Sequence, residues 1–333
     1  PPRSTLSSSS AASDVYKRQS VSRSGFDGIS TYDYLTGYQL TKGNNNVTIL
    51  GDQTLAQLRS IGLANKNITW ETIDLYNVGL DATVLNGQLS MELDAFYRKR
   101  GGILANRAAT ISNTFGASLP AENINSMDNR GFEIVLSHRK KLGDFSYNIS
   151  ANYSFSKAKW IHREERSQFE DDDDERINKF SGQWVNRTFG YLTNGFFNSQ
   201  EEIDAETVDQ DQGGNVSIRP GDIRFVDFNG DGVITDRDRV EIGKGTTPES
   251  MFGLTVVADY KGFDFNMLWQ GAGGFVSIFN YSANIGGLFL GSGVPLTYQW
   301  EYQWNAENPE KAMLPAPNIN GVNSHNKKLN DLY

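Results

Sequence analysis

Between Asp227 and Asp238 the chain reads DFNGDGVITDRD, and its oxygen-bearing residues fall on a regular spacing. With Asp227 as position 1, Asn229 stands at 3, Asp231 at 5, Val233 at 7, Thr235 at 9 and Asp238 at 12. That is the ligand order of a calcium loop, with Gly232 at the sharp sixth position and the Val233 backbone carbonyl at the seventh. Calcium takes roughly six to eight hard oxygens, and three carboxylates, an amide, a carbonyl and water supply such a set. Ile234 occupies the place of the usual apolar anchor. Asp238 replaces the usual glutamate, so bidentate contact requires a tighter loop. The spacing predicts a structural Ca2+ held by these six residues. The same residues also suit an Asx-rich surface turn that binds nothing firmly.

Other chemistry is sparse. Zero cysteines exclude a disulfide framework, a thiolate zinc site and a cysteine nucleophile. His138, His162 and His325 are isolated, without ligand spacing. No nucleophile elbow, P-loop or dinucleotide fingerprint occurs, and no two acids pair at a fixed spacing on strand ends. An enzyme is therefore not expected. FEDDDDER, residues 169–176, reads as a solvated, mobile charge run. Trp160, Trp184, Trp300 and Trp304 fall in connecting segments, where packing is the commoner use and stacking on sugar rings the second.

The elements that must position these residues are strands. Aromatics make up 12 % of the 333 residues, and 33 glycines supply tight turns. A net charge of −9 with no basic stripe argues against a nucleic-acid partner. No run approaches the roughly 18 apolar residues of a membrane helix, which leaves a β-barrel open. In FSYNISANYSF, Phe145, Tyr147, Ile149, Ala151, Tyr153 and Phe155 alternate with serines and asparagines. FDFNMLWQ and LSMELDAFYRK repeat the pattern.

Short turns join these strands in hairpins. Asn86-Gly87 links Val78–Val84 to Gln88–Arg98, RKKLGDF links Phe132–Arg139 to Asp144–Ala158, and YKGF links Met251–Tyr260 to Phe263–Trp269. Between hairpins the connections run to about 30 residues after Arg100 and about 90 after Ala158, the latter (about 159–250) carrying the acidic loop. Short turns at one end and long loops at the other describe an all-β, antiparallel up-and-down transmembrane β-barrel portion. A soluble β-sandwich also alternates, but its strands are usually shorter and less polar in mid-strand. Tyr97, Phe155 and Trp269 close the apolar faces as an interfacial girdle would.

Residues 1–19, PPRSTLSSSSAASDVYKRQ, are Ser-rich and unlike the rest. They resemble translated vector or adaptor sequence and are expected to form a non-native or disordered leader; a flexible linker is the alternative. The partial barrel is then expected over 20–333.

NITWETIDLYNVGLDATVLNGQLSMELDAFYRKR resembles the barrel of SusC/RagA-type TonB-dependent outer-membrane transporters, with their W-E…N-x-G-L-D strand and Y-Y-x-K strand. NINSMDNRGFEIVLSHRKKLGDFSYNISANYSFSKAKW, FGYLTNGFFNSQEEID, the acidic loop, MFGLTVVADYKGFDFNMLWQGAGG and WNAENPEKAMLP continue the series in family order, from about Asn67 to Pro315. The family's N-x-G-E reads Asn125-Ser126-Met127-Asp128, a departure. Segments matching the plug domain, the TonB box and the closing Y-L-R-L-K strand are absent, so the resemblance implies an incomplete barrel. It further implies the outer membrane of a Gram-negative bacterium, import of oligosaccharides or peptides, a SusD-like surface lipoprotein and the TonB complex as partners, and contact with outer-membrane lipid. A soluble extracellular calcium-binding β-protein, such as an adhesin or dockerin-like module, is the alternative. A dockerin needs a second copy of the loop, and the chain has one.

Overall fold

A computed structural model describes residues 14–26, 28, 34–41, 47–50, 53–60, 62–107, 114, 119–277, 297–316, 325–328 and 330–331. The chain divides into two units, one built on the large sheet and one on residues 169–179, 186–248 and those from 274 onward.

The first unit holds β1 (Asp14–Phe26), β2 (Tyr38–Thr41), β3 (Val47–Leu50), β4 (Gln53–Ser60), β5 (Glu71–Val84), β6 (Leu89–Ala105), β7 (Glu122–Leu142) and β8 (Phe145–His162). The second contains β9 (Thr188–Gly190), β10 (Thr193–Phe196), β11 (Ile223–Phe225) and β12 (Val240–Gly243), and the chain then returns to the first with β13 (Ser250–Tyr260) and β14 (Phe263–Gly273). Seven strands form one antiparallel sheet in the order β1-β5-β6-β7-β8-β13-β14, with β1 and β14 at its open edges. Strands β2, β4 and β3 make a separate small sheet.

The turns follow from their residues. Lys261 and Gly262 both adopt positive φ, 46° and 88°, as a two-residue turn between right-twisted strands requires. The β5–β6 turn, Leu85–Gln88, is longer than a two-residue turn and carries three successive left-handed residues, Leu85, Asn86 and Gly87.

Strands reach further than hydrophobic alternation predicts. β7 spans 21 residues and β8 spans 18, because pairing continues above the apolar stretch with charged side chains. The connection expected at about 30 residues after Arg100 therefore shrinks to 106–121. Trp160, expected in a connection, lies within β8.

The leader expected over 1–19 also needs correction. Strand β1 starts at Asp14 and pairs in register with β5, Asp14 opposite Thr83. Residues 1–13 lie outside the described residues. The register sets Lys17 opposite Leu80 and Gln19 opposite Val78, so this edge strand breaks an otherwise apolar face.

The second unit has its own small cores. Tyr191, Ile223, Phe225 and Ile234 form one, flanked by Phe196 and Val208; Phe197, Ile203 and Ile218 form another. Three short helices, α1 (Asp172–Asn178), α2 (Gln200–Asp204) and α3 (Thr297–Tyr302), complete it.

Candidate functional site

The large sheet has two chemically distinct faces. Strand register places Val78, Leu80, Ala82 and Val84 of β5 beside Ala95, Leu93, Met91 and Leu89 of β6. The same face continues through Phe132, Ile134 and Leu136 of β7, Tyr153, Ala151 and Ile149 of β8, and Leu254 and Val256 of β13. Met267 and Trp269 of β14 complete it. This apolar face is uncovered: Val78 is 65 % exposed, Phe263 78 % and Trp269 62 %. A sandwich buries such a face, so a membrane is what fills the place of a second layer. From Phe145 to Phe155 the band is about 33 Å along the strand, and at a tilt near 40° this is about 25 Å of height, the thickness of a barrel's apolar belt.

The opposite face carries Asn77 and Asp81, Glu92 and Asp94, Glu133, Ser150 and Asn152, Thr255, and Asn266 and Gln270. A hollow of about 1350 Å3 is lined by Arg18, Asp81, Asp94 and Glu133 of this face together with Val78, Leu80, Leu93 and Phe132 of the apolar one. Arg18 spans Asp81 and Asp94 at 2.7 and 2.8 Å. Higher on the same face Arg100 forks onto the buried Glu71 carboxylate.

The acidic loop lies in the second unit and folds around its own backbone. Asp227 accepts the Gly230 and Gly232 amides at 2.8 Å through its two oxygens. Asn229 Oδ1 accepts the Asp231 amide at 3.1 Å, and Asp231 accepts that of Val233 at 2.9 Å. Gly230 and Gly232 take φ of 76° and 85°, the left-handed turns that let the chain wind round these carboxylates. Val233 bridges Asp209: the Asp209 amide donates to the Gly232 carbonyl, and the Ile234 amide to that of Asp209, both at 2.8 Å. Ile234 is fully buried in the first core, the anchor position expected of it.

Asp238 does something the spacing did not foretell. Its side chain is fully buried, and its oxygens accept the Phe228 amide at 2.9 Å and the Thr235 amide at 2.7 Å. Thr235 caps the Arg237 amide in return, at 3.2 Å, starting a one-turn helix at Asp236–Asp238. Burial, with the Asp227 charge adding, raises the Asp238 pKa above the usual carboxylate value. Asp227, Asn229 and Asp231 thus share the turn, while Thr235 and Asp238 act as caps. Among the described residues no three His, Cys, Asp or Glu side chains converge as a metal cluster.

FEDDDDER is not a mobile loop. Asp171 caps α1 by accepting the Asp174 amide at 2.9 Å, and the acidic first turn complements the helix dipole. Asp173 accepts the Asn229 side-chain amide, which holds its pKa below the usual carboxylate range. Arg237 reaches Glu170 at 3.1 Å and Asp171 at 2.6 Å, and Arg176 lies 4.7 Å from the Phe228 ring centroid. A second Asx turn was also missed: Asp211 accepts the Gly213, Asn215 and Ser217 amides at 2.7–2.9 Å. The run DQDQGGNVS, with Asp two apart before Gly-Gly, was its available signal.

His325, isolated in sequence, is buried with its Nε2 2.6 Å from the Ile223 carbonyl and its ring edge-on to Phe225. Its role is packing, and burial lowers its pKa. Trp304 donates its indole N–H to Asn198 at 3.1 Å.

An uncovered apolar band, a polar opposite face, tight turns at one end and long connections at the other define the wall of a transmembrane β-barrel. Residues 11–284 match the family model "TonB dependent receptor-like, beta-barrel", and the chain belongs to that family. Its barrels lie in the outer membrane of Gram-negative bacteria. The chain is 28 % identical to TonB-dependent receptor P3 of Formosa agariphila over 83 % of its own length and 27 % of that protein. It is 28 % identical to TonB-dependent receptor SusC of Bacteroides thetaiotaomicron over 61 % of its length and 19 % of SusC. It thus spans about a quarter of these relatives. Its fold is similar to that of the RagAB peptide transporter, with TM-score 0.61 and 17 % identity over 93 % of this chain and 32 % of that one. A RagAB peptide importer in the closed-closed state gives 0.59 and 20 %, over 84 % and 29 %.

Proposed function

We propose that the chain forms part of the wall of an outer-membrane importer for oligosaccharides or peptides. Uptake is driven by the TonB complex, and a SusD-like surface lipoprotein serves as partner at the outer face. The observation that carries this reading is the pairing of an uncovered apolar band with a polar, ion-paired opposite face in a barrel of this family. The polar face offers hydroxyls, amides and carboxylates to hydrated cargo, and the apolar band faces lipid. Likeness to SusC and to RagAB peptide importers supports the choice of cargo.

The full-length protein carrying this chain is expected to fractionate with the outer membrane, to migrate heat-modifiably, and to lose uptake when TonB is deleted. Recovery as a freely soluble protein sinks the reading.

The loop from Asp227 to Asp238 is proposed to take a structural Ca2+, through Asp227, Asn229, Asp231 and the Val233 carbonyl. Thr235 and Asp238 brace that arrangement from behind. Support comes from the ligand spacing and from the turn already wound round Asp227. The ion supplies charge neutralisation and stiffness to the loop.

A further inference from the structure

Where the long connection leaves β8, the polar face ends in an arginine held by aromatic rings. Met127 of β7 pairs with Arg100 of β6 on one side and Trp160 of β8 on the other, so Trp160 belongs to the face that carries Glu133 and Asn152. Just there the chain runs back along residues 180–183. The Trp160 amide donates to the Gln183 carbonyl at 2.9 Å, and the Gly182 amide to the Trp160 carbonyl at 2.8 Å. Beyond the strand end, the Arg163 amide donates to Ser181 Oγ at 3.0 Å, and that hydroxyl donates to the Arg163 carbonyl at 3.1 Å.

These bonds set the Arg163 side chain between two rings. Its guanidinium carbon lies 3.8 Å from the Phe180 ring centroid and 5.5 Å from that of Trp160. The shorter separation suits a stacked guanidinium; an edge-on one would hold its carbon further off behind its N–H groups. Stacking occupies the face of the group and leaves the in-plane N–H donors to other partners. Among the described residues the Arg163 side chain makes no hydrogen bond and no ion pair.

Arg18 and Arg100, on the same face, are both held by carboxylates. Glu165, two residues from Arg163, turns to the backbone and accepts the Phe180 amide at 2.7 Å and the Ser181 amide at 3.2 Å. Its charge braces the turn that carries the ring. In a chain with 40 Asp and Glu to 31 Lys and Arg, a half-buried arginine kept apart from all described acids is placed for a partner from outside.

We propose that Arg163, stacked on Phe180 and Trp160, binds a carboxylate of the cargo. A carboxylate spans the guanidinium fork with two parallel charge-assisted hydrogen bonds, and a neutral hydroxyl or amide forms neither. It is also the anion common to the two cargo classes, as a uronic acid of an oligosaccharide or an acidic group of a peptide. The site rests on the reading of this sheet as an importer wall, with its polar face toward the cargo.

The test measures Kd by titration calorimetry on the full-length protein in detergent. Probes are oligogalacturonate and its methyl ester, and an end-capped glutamate peptide and its glutamine counterpart. In one pair the acid form is expected to bind roughly tenfold or more tightly than the neutral form. Arg163→Gln should remove that advantage and leave the neutral form unchanged. Arg163→Lys keeps the charge without the fork and should keep only part of it, as should Phe180→Leu, which keeps the arginine without its ring. The pair that responds tells a uronate from a peptide carboxylate. Acid and neutral forms of equal affinity in both pairs, or an advantage undiminished in both Arg163 variants, overturns the proposal. Heat-modifiable migration of every protein is scored in parallel. A heat-modifiable wild type that binds neither acid overturns the carboxylate site and leaves the barrel standing; a soluble, unmodifiable one overturns both.

Discussion

Asn229 donates its side-chain amide to the Asp173 carboxylate at 3.1 Å, across 56 residues of chain. The contact ties the acidic helix to the third position of the acidic loop, and Arg237 adds ion pairs to Glu170 and Asp171. These ties are largely exposed. Exposed pairs contribute roughly 0–1 kcal/mol, so Arg237→Ala is expected to shift unfolding of this unit only slightly. Asp238→Ala leaves two amide donors without their buried acceptor and is expected to cost about 1–3 kcal/mol. Limited proteolysis of the full-length protein checks the contrast. Equal protease sensitivity of the two variants refutes the capping role.

Calcium is expected to protect the same loop. Binding to the folded form alone stabilises by about 2.7 kcal/mol at a hundredfold excess over Kd. Added Ca2+ should raise the protease-resistance temperature of the 227–238 region, and a chelator should lower it. Asp227→Asn with Asp231→Asn should remove the effect. If wild type and double variant respond alike to the chelator, the loop is an Asx turn held by its own backbone.

The two faces of the sheet should tolerate charge unequally. Ile149→Lys places a cation in the middle of the lipid-facing band, at a cost of about 2–4 kcal/mol. Asn148→Lys, one residue away on the polar face, should be close to neutral. The heat-modifiable fraction recovered from outer membranes measures both. Equal yields contradict the assignment of faces.

Gly131 marks a close approach within the sheet. A Cβ there overlaps the Phe155 carbonyl oxygen and the Phe96 ring. Gly131→Val is expected to destabilise by about 1–3 kcal/mol through overpacking, and Phe96→Ala in the same chain should restore part of the loss. Thermal unfolding of the two variants decides.

Acid should loosen the contact made by His325. Burial lowers its folded pKa below the usual value, so the neutral ring is the folded form. The contribution is present above the unfolded pKa, about 6.5, and is lost as pH falls through the lower folded pKa. Protection of the Ile223 and Phe225 amides, relative to their intrinsic exchange rates, should fall between pH 7.5 and 5, and His325→Gln should flatten that dependence. An unchanged pH profile in the variant assigns the loosening to other groups.

Alternation made the hairpins legible, because Phe145 to Phe155 places every apolar side chain on one face and Phe263 to Trp269 does so for all but Leu268. It failed where that face leaves lipid: Lys159 and the residues up to His162 belong to β8 beyond the strand end expected at Ala158. β1 was hidden for the same reason, with Lys17 and Gln19 on the lipid side. The helix at Asp172–Asn178 looked like free charge because Asn229 and Arg237, its partners, are more than fifty residues away. Spacing found the loop positions, but it carries no information about where a carboxylate points. Asp238, turned inward to two amides, is the clearest case.

On β7 the lipid-facing side passes from Arg130 to Phe132 in a single alternation step. That step fixes one edge of the apolar belt. In a thicker bilayer, upward growth of the oil would immerse the Arg130 row, and in a thinner one the Phe132 row would be left in water. Either costs more than bending lipid, for which mismatch is a fraction of a kcal/mol per ångström. The surrounding bilayer therefore adjusts its thickness to the wall, and neighbouring barrels feel one another through that deformation.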